Sequence, residues 1–504
     1  MRDRLTTRRR RLTTPLLVAL LATACAAAPA SRAQPAGAQV VPIGPTASSA
    51  HLPPEVQAAL QRARVPADAL SVVVQEAGSG RSLLSHQARL PMNPASVVKL
   101  LTTYAALDLL GPAWTWSTPV YIQGAVQDGV LDGSVYLRGS GDPKLVIEQL
   151  WLLLRRLQAA GVREIRGDFV LDRSAFAPGD GHPADFDGDA SRPYNVRADA
   201  LLLNFKAAVH TFVPDPARNV ARVVTDPDVW ASARGGLPGG APTVPLAAGP
   251  CEDWRTALKA TAAETGWRFT GRYPGACGEQ GWPLADPDPA RYNARLLETM
   301  WRELGGRLGG AVREGAVPAA LKPLFEHRSE ALAEVVRDIN KFSNNVMSQQ
   351  LFLTLALQRE PRAPATQEAA RETIRRWHVE RIGELPEGFV LDNGSGLSRQ
   401  TRVSAQTLAH LLQHAWSSPV MSELMSSLPV SGLDGTLRRS RTSPGRAHLK
   451  TGSLRDVASI AGYVLSDSGR RYVLVALVNH PQAGAARPAL DALVQWAIRD
   501  APSR

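Results

Sequence analysis

Ser96-Val97-Val98-Lys99 sets a hydroxyl and an amine three residues apart, one helical turn, so that both project from one face of a helix. The helix is well signalled: Asn93-Pro94 supplies an N-cap and a proline at the first helical position, Val97, Leu100, Leu101, Tyr104 and Leu107 continue the apolar pattern, and Gly111-Pro112 stops it. Ser96 then falls in the first turn, where unpaired backbone N–H groups and the helix dipole favour developing negative charge. Lysine is scarce in this chain, seven residues against 50 arginines, and none of the other six lysines follows a serine at this spacing. A guanidinium keeps its proton in a protein whereas a buried ammonium can lose it, so Lys99 has a chemical reason not to be arginine. Serine attacks poorly until a base takes its proton, and an amine serves only when neutral. Lys99 is therefore expected to be buried or to lie near a second cation.

Two further polar motifs lie far down the chain. Lys450-Thr451-Gly452-Ser453 falls on a predicted strand, where glycine would let a substrate backbone approach and Lys450, Thr451 and Ser453 offer a cation and hydroxyls to a carboxylate. Lys450 could also be the like charge that keeps Lys99 neutral. Ser343-Asn344-Asn345 sits in a break between two helices, where a hydroxyl and an amide could line a cleft wall or simply cap a helix. Since 247 residues separate Ser96 from Ser343, the fold must return both ends of the chain to one cleft around a long insertion.

At 504 residues the chain suggests about three domains. Residues 51–116 and 326–504 are expected to form one discontinuous α/β (α+β) domain. Its parts are a hairpin from Leu70–Ala77 and Arg81–His86, helices over 329–339 and 344–357, strands over 447–453, 459–466 and 471–479, and a closing helix over 485–500. Residues 117–325, where short β-type runs alternate with Gly, Pro and Asp clusters, are expected to hold two inserted β-rich domains.

Residues 1–12 carry six arginines, Leu16–Ala24 is apolar, and small residues follow to Ala33, the layout of a secretory signal over 1–33. Cleavage after Ala33 fits, with Ala28–Ala30 an alternative. Residues 34–50, rich in Pro, Ala, Gly and Ser, read as a linker. Cys25 follows Leu21-Ala22-Thr23-Ala24, where Ala22 replaces the usual leucine of a lipid-attachment box, so lipid anchoring is the weaker reading. A periplasmic location and no transmembrane helix in the mature chain are expected. Cys251 and Cys277 remain, and an oxidising compartment favours a bridge over two free thiols. Beyond residue 33 the formal excess is only +5, without basic runs interleaved with aromatics, which argues against nucleic acid.

In the order Ser-x-x-Lys, Ser-x-Asn, Lys-Thr-Gly, the motifs resemble those of penicillin-binding proteins and serine β-lactamases. The long gap resembles the DacB-like D-alanyl-D-alanine carboxypeptidases/endopeptidases of peptidase family S13. So do Gly139-Ser140-Gly141-Asp142-Pro143, Pro193-Tyr194-Asn195, Asp199–Asn204 and Asp392–Arg399. The resemblance implies a transpeptidase-like domain with an antiparallel sheet flanked by helices, and an acyl-enzyme on Ser96 with Lys99 as base. Ser343 and Lys450 would relay the proton to the leaving amine, and Asn345 would hold the substrate backbone. The oxyanion hole would be the N–H groups of Ser96 and Ser453, with the Thr451 and Ser453 hydroxyls at the terminal carboxylate and Gly452 beside them in the substrate-binding strand. Asp189, Tyr194, Arg399 and Arg455 match positions lining a pocket for the diaminopimelate side chain. The implied partners are stem peptides ending in D-Ala-D-Ala, with β-lactams as covalent inhibitors. The alternatives are a serine β-lactamase and a non-catalytic penicillin- or peptidoglycan-binding protein.

No metal or other cofactor is assigned. Asp185-Phe186-Asp187-Gly188-Asp189 resembles a calcium loop, but the twelfth position is Val196 rather than glutamate. His410 and His414 lack the glutamate of His-Glu-x-x-His. Ala200 stands where compact β-lactamases carry a water-activating glutamate, which argues against rapid antibiotic hydrolysis.

Overall fold

Three long strands, Leu70–Glu76, Val457–Leu465 and Arg471–Asn479, are apolar on both faces, the pattern of a sheet covered on both sides. In the computed structural model, which describes residues 51–179, 181–231 and 242–500, they form the middle of a five-stranded antiparallel sheet. Its order is Ala447–Leu454, Val457–Leu465, Arg471–Asn479, Leu70–Glu76, Ser82–His86. Successive side chains go to opposite cores. Val72, Val74, Leu474 and Ala476 meet the helices Pro54–Arg62 and Arg487–Ile498, while Val73, Val473, Val475 and Leu477 meet Lys99–Leu110 and Ala405–Trp416. The edge strand Ala447–Leu454 carries Lys450 to Ser453.

Residues 115–331 build three further sheets, of seven, five and two strands. Thr115–Gln127 pairs antiparallel with Val130–Arg138 and with Phe325–Ala331, and Phe169–Asp172 joins parallel to Val130–Arg138. Cuts at 117 and 325 would therefore run through two paired strands. The parallel pair needs a crossover, which Ile147–Ala159 provides. Its Leu150, Leu153, Leu154 and Leu157 pack on Leu296, Leu297, Met300 and Trp301 of a second helix, Tyr292–Glu303. This half of the insertion is mixed α/β, not merely strand-rich.

The other half is a five-stranded sheet and the hairpin Leu258–Ala263/Gly266–Gly271, around an aromatic core of Phe212, Trp254, Phe269, Tyr273 and Trp282. Cys251 and Cys277 are disulfide-bonded across 26 residues. The expected signal peptide, linker and Cys25 lie outside the described residues. Among the described residues no helix is long and apolar enough to cross a membrane.

Candidate active site

The expected Ser-x-x-Lys helix is present, but it starts later. Lys99–Leu110 is the α-helix, and Ser96 lies in the 3-10 turn Ala95–Val98 that leads into it. Asn93 folds this turn: its Oδ1 accepts from the Ala95 N–H at 2.9 Å, and its Nδ2 donates to the Ser398 carbonyl at 2.9 Å. Ala95 has φ 44°, and Ser343 of the second motif has φ 57°. Both are left-handed non-glycine residues beside or within a motif, where surrounding structure must hold the strain.

Lys99 Nζ is fully buried, 3.0 Å from Ser96 Oγ, and donates to Asn345 Oδ1 at 2.6 Å and to the Ser395 carbonyl. A neutral amine has two N–H donors and one lone pair. With both donors given to acceptor-only carbonyl oxygens, the lone pair is left for the Ser96 O–H. Burial, and after it the Lys450 charge, hold the Lys99 amine well below the ordinary lysine range.

Lys450 Nζ is also buried, donates to Ser343 Oγ and to the Thr451 carbonyl, each at 2.8 Å, and is brought down by burial to about 7. The other well-buried lysines have carboxylates: Lys206 meets Asp199 and Lys341 meets Asp434, both at 2.7 Å, and half-buried Lys144 meets Glu330 at 2.6 Å. Among the described residues, Lys99 and Lys450 have none.

Asn344 caps the helix Asn345–Arg359 by accepting from the Met347 N–H at 3.0 Å, which frees Asn345 to face Lys99. Gly452 does other work than expected. A Cβ there would lie 2.2 Å from Ser459 Oγ, 2.6 Å from the Pro94 carbonyl and 3.1 Å from the Ser96 nitrogen, so the missing side chain lets the strand press against the Ser96 turn. Lys450 faces Ser343 and not the open end of the strand. Thr451 Oγ1 lies 2.7 Å from Thr436 Oγ1, and Ser453 Oγ accepts from Arg487 Nη2 at 2.9 Å.

Sequence reasoning did not assign the Ser395 carbonyl, Thr436 or Arg487. The first was signalled by Asn393-Gly394-Ser395-Gly396, an Asx-turn composition. Asn393 Oδ1 accepts from the Ser395 N–H at 3.1 Å and its Nδ2 donates to the Leu397 carbonyl at 2.9 Å, which aims the Ser395 carbonyl at Lys99.

A cleft of about 1170 Å³ opens over Ser96, larger than a typical small-molecule pocket and suited to a peptide. Tyr194, Arg399, Arg455, Asn345 and Ser453 line it. Asp189 does not: its carboxylate accepts from Arg192 Nε at 2.8 Å and from the Ser191 N–H at 3.0 Å. Asp187, two residues earlier, lines the cleft and accepts from the Tyr194 hydroxyl at 2.6 Å. Arg399 stacks over Phe186, 4.9 Å from the ring centre, and bonds Asp456 at 2.8 Å.

Sheet, helices and a cleft serine paired with a buried lysine define the class, a transpeptidase-like fold of the kind found in penicillin-recognising serine enzymes. The chain belongs to the D-Ala-D-Ala carboxypeptidase 3 (S13) family, whose model matches residues 52–500. It is 28% identical to a D-alanyl-D-alanine carboxypeptidase of Actinomadura sp. (strain R39), over 89% of this chain and 85% of the relative. It is 26% identical to the D-alanyl-D-alanine carboxypeptidase DacB of Haemophilus influenzae, over 78% of this chain and 81% of the relative. The crystal structure of penicillin binding protein 4 from Haemophilus influenzae has the same fold, with a TM-score of 0.69 at 22% identity, covering 87% of this chain and 99% of that one.

Proposed function

We propose that this chain is an exported serine D-alanyl-D-alanine carboxypeptidase that also cleaves D-alanyl crosslinks through the same acyl-enzyme. The observation that carries this reading is Lys99, a buried amine with no carboxylate partner, 3.0 Å from Ser96 Oγ. Lys99 takes the Ser96 proton as Oγ bonds to the carbonyl carbon of the penultimate D-alanine. The carbonyl oxygen becomes an oxyanion held by the backbone N–H groups of Ser96 and Ser453. Collapse breaks the C–N bond, and the departing amine receives a proton through Ser343 from Lys450; the Ser96 proton held on Lys99 passes back along the same groups, leaving Lys99 neutral and Lys450 protonated. Water then attacks the ester and gives a proton to Lys99, which returns it to Ser96 Oγ as the ester bond breaks. Asn345 orients the substrate amide, with Asp187, Tyr194, Arg399 and Arg455 along the side chain that precedes the D-alanine.

The family match and the names of the curated relatives support the same reaction class. β-Lactams, whose strained amide mimics the dipeptide, are expected to acylate Ser96 and remain. Ala200 supports persistence, since it offers only a methyl group and its carbonyl is occupied by the Gly141 N–H at 2.7 Å. Digestion of crosslinked peptidoglycan, read by mass spectrometry, should show released D-alanine and fewer crosslinked dimers, both abolished by Ser96→Ala. Unchanged muropeptides together with no penicilloyl adduct would sink the proposal.

A further inference from the structure

The acyl-transfer reading leaves a charge unanswered. Both bonds it cleaves have a carboxylate on the leaving side, that of the terminal D-alanine or that of the D-centre of a crosslinked diamino acid. That carboxylate needs a partner that stays cationic. Neither motif lysine suits: Lys99 is held far below its usual range and turned to Ser96, Asn345 and Ser395, while Lys450 is turned inward to Ser343 and the Thr451 carbonyl.

Arg487 reaches the motif from elsewhere. It is the first residue of the helix Arg487–Ile498, directly after the 3-10 turn Ala483–Ala486, whose Ala483 and Ala486 are buried against the sheet. Its side chain is exposed, forms no ion pair among the described residues, and spends a donor on a neutral hydroxyl, Ser453 Oγ at 2.9 Å. Asp491, one turn on in the same helix, lies beyond ion-pair distance although it feels the Arg487 charge. An oxygen that accepts from a guanidinium still has its own O–H free to donate, and Ser453 lines the cleft.

We infer that Arg487 is the carboxylate-specificity residue of this enzyme, a permanent cation that, with the Ser453 and Thr451 hydroxyls, holds the carboxylate of the leaving residue. A guanidinium suits the task because its planar fork matches a carboxylate and its charge does not titrate. Arg487 does not itself line the cleft and acts on it through Ser453, which does; Arg455, which lines the cleft, makes no comparable bond to the motif.

This inference rests on the carboxypeptidase reading, and the test separates the two. A stem-peptide analogue ending in D-Ala-D-Ala is compared with the same peptide as its C-terminal amide, in wild-type protein, Arg487→Ala and Arg487→Lys. Wild type should prefer the acid. Arg487→Ala should lose about 10- to 100-fold in kcat/KM on the acid, the scale of one charge-assisted contact, with little change on the amide. Arg487→Lys should recover part of the acid preference. A merely structural role would lower both substrates together. If wild type cleaves neither peptide and takes up no penicillin, the carboxypeptidase reading fails. If it prefers the acid and Arg487→Ala keeps the same acid-to-amide ratio, the Arg487 assignment alone is overturned.

Discussion

At the scale of single residues, the site is a contrast between amines that keep their proton and amines that do not. Lys206 and Lys341 are buried beside carboxylates, whereas Lys99 and Lys450 are buried beside neutral oxygens, so desolvation acts on them without compensation. Activity should follow these two groups in opposite senses. Lowering the pH protonates Lys99 and removes the base. Raising it above about 7 removes the Lys450 proton that the departing amine needs. The kcat/KM for a D-Ala-D-Ala peptide should thus be bell-shaped, its alkaline limb near neutrality, and a profile still climbing at pH 9 would remove Lys450 from the proton relay. Stability gives an independent check. Because the folded-state pKa of Lys450 lies below the unfolded value, the unfolded chain binds more protons between about 7 and 10.5, so native stability rises with pH across that window. Replacing the amine with a methyl thioether removes this linkage. Melting temperatures of Lys450→Met against wild type should therefore favour the variant more at pH 7 than at pH 10, a comparison in which lost contacts to Ser343 and Thr451 cancel.

At the scale of elements, one helix connects the catalytic groups to the insertion. Asn345–Arg359 is buried along most of its length, and five residues after Asn345 the side chain of Gln350 accepts from the Asp199 N–H and donates to the Asp199 carbonyl, both at 2.9 Å. Asp199 is itself held by Lys206 and Arg173. Gln350→Leu would leave a buried donor and acceptor unpaired, at about 1–3 kcal/mol each. It should lower the melting temperature and slow penicillin acylation at a temperature where the variant is still folded, because Asn345 rides on the same helix. An unchanged acylation rate would show that the clamp serves stability alone. Much of this was readable in advance, since the helix has a long apolar run and the central strands are continuous Val, Leu and Ala. The crossover helix Ile147–Ala159 carried its own period, Leu150, Leu153, Leu154 and Leu157, yet was submerged in a segment whose turn residues speak for strands. The 3-10 start at Ala95 was hidden for another reason: it depends on Gly396 and Gly452, two glycines that let distant backbone press on the Ser96 nitrogen.

For the whole molecule, the division between legible and illegible follows contact range. Ser96 with Lys99, and Lys450 with its three successors, are local chemistry and could be nominated from spacing. Arg487 on Ser453, the Ser395 carbonyl on Lys99, and Asp187 rather than Asp189 at the cleft arise only when segments tens to hundreds of residues apart meet, or when a neighbour such as Arg192 takes one carboxylate and not the other. The same long-range packing sets how the protein should respond to acid. Behind the nucleophile helix, His414 Nδ1 lies 2.6 Å from the Tyr104 hydroxyl, and His378 and His410 are close enough for the His378 charge to feel both neighbours. Burial lowers all three, with Arg89 adding to it for His410 and Arg381 for His414, while Asp108 pulls His414 the other way. The unfolded chain therefore binds more protons than the native one once the pH falls below about 6.5, and stability is lost from there downward. Asp142, pushed up to about 6 by burial, acts in the opposite sense, as do Asp286 and Asp491, which burial also raises, whereas His327 and His448, lowered by burial, add to the histidine side. His378 is the sharpest case. Its Nδ1 donates to the Gly383 carbonyl at 2.9 Å, whereas its buried Nε2 has no partner, so a proton there would be an unpaired buried charge. The melting temperature should fall between pH 7.5 and pH 5, and His378→Gln, which cannot titrate, should shrink that fall. An equal fall in the variant would move the acid sensitivity away from this cluster.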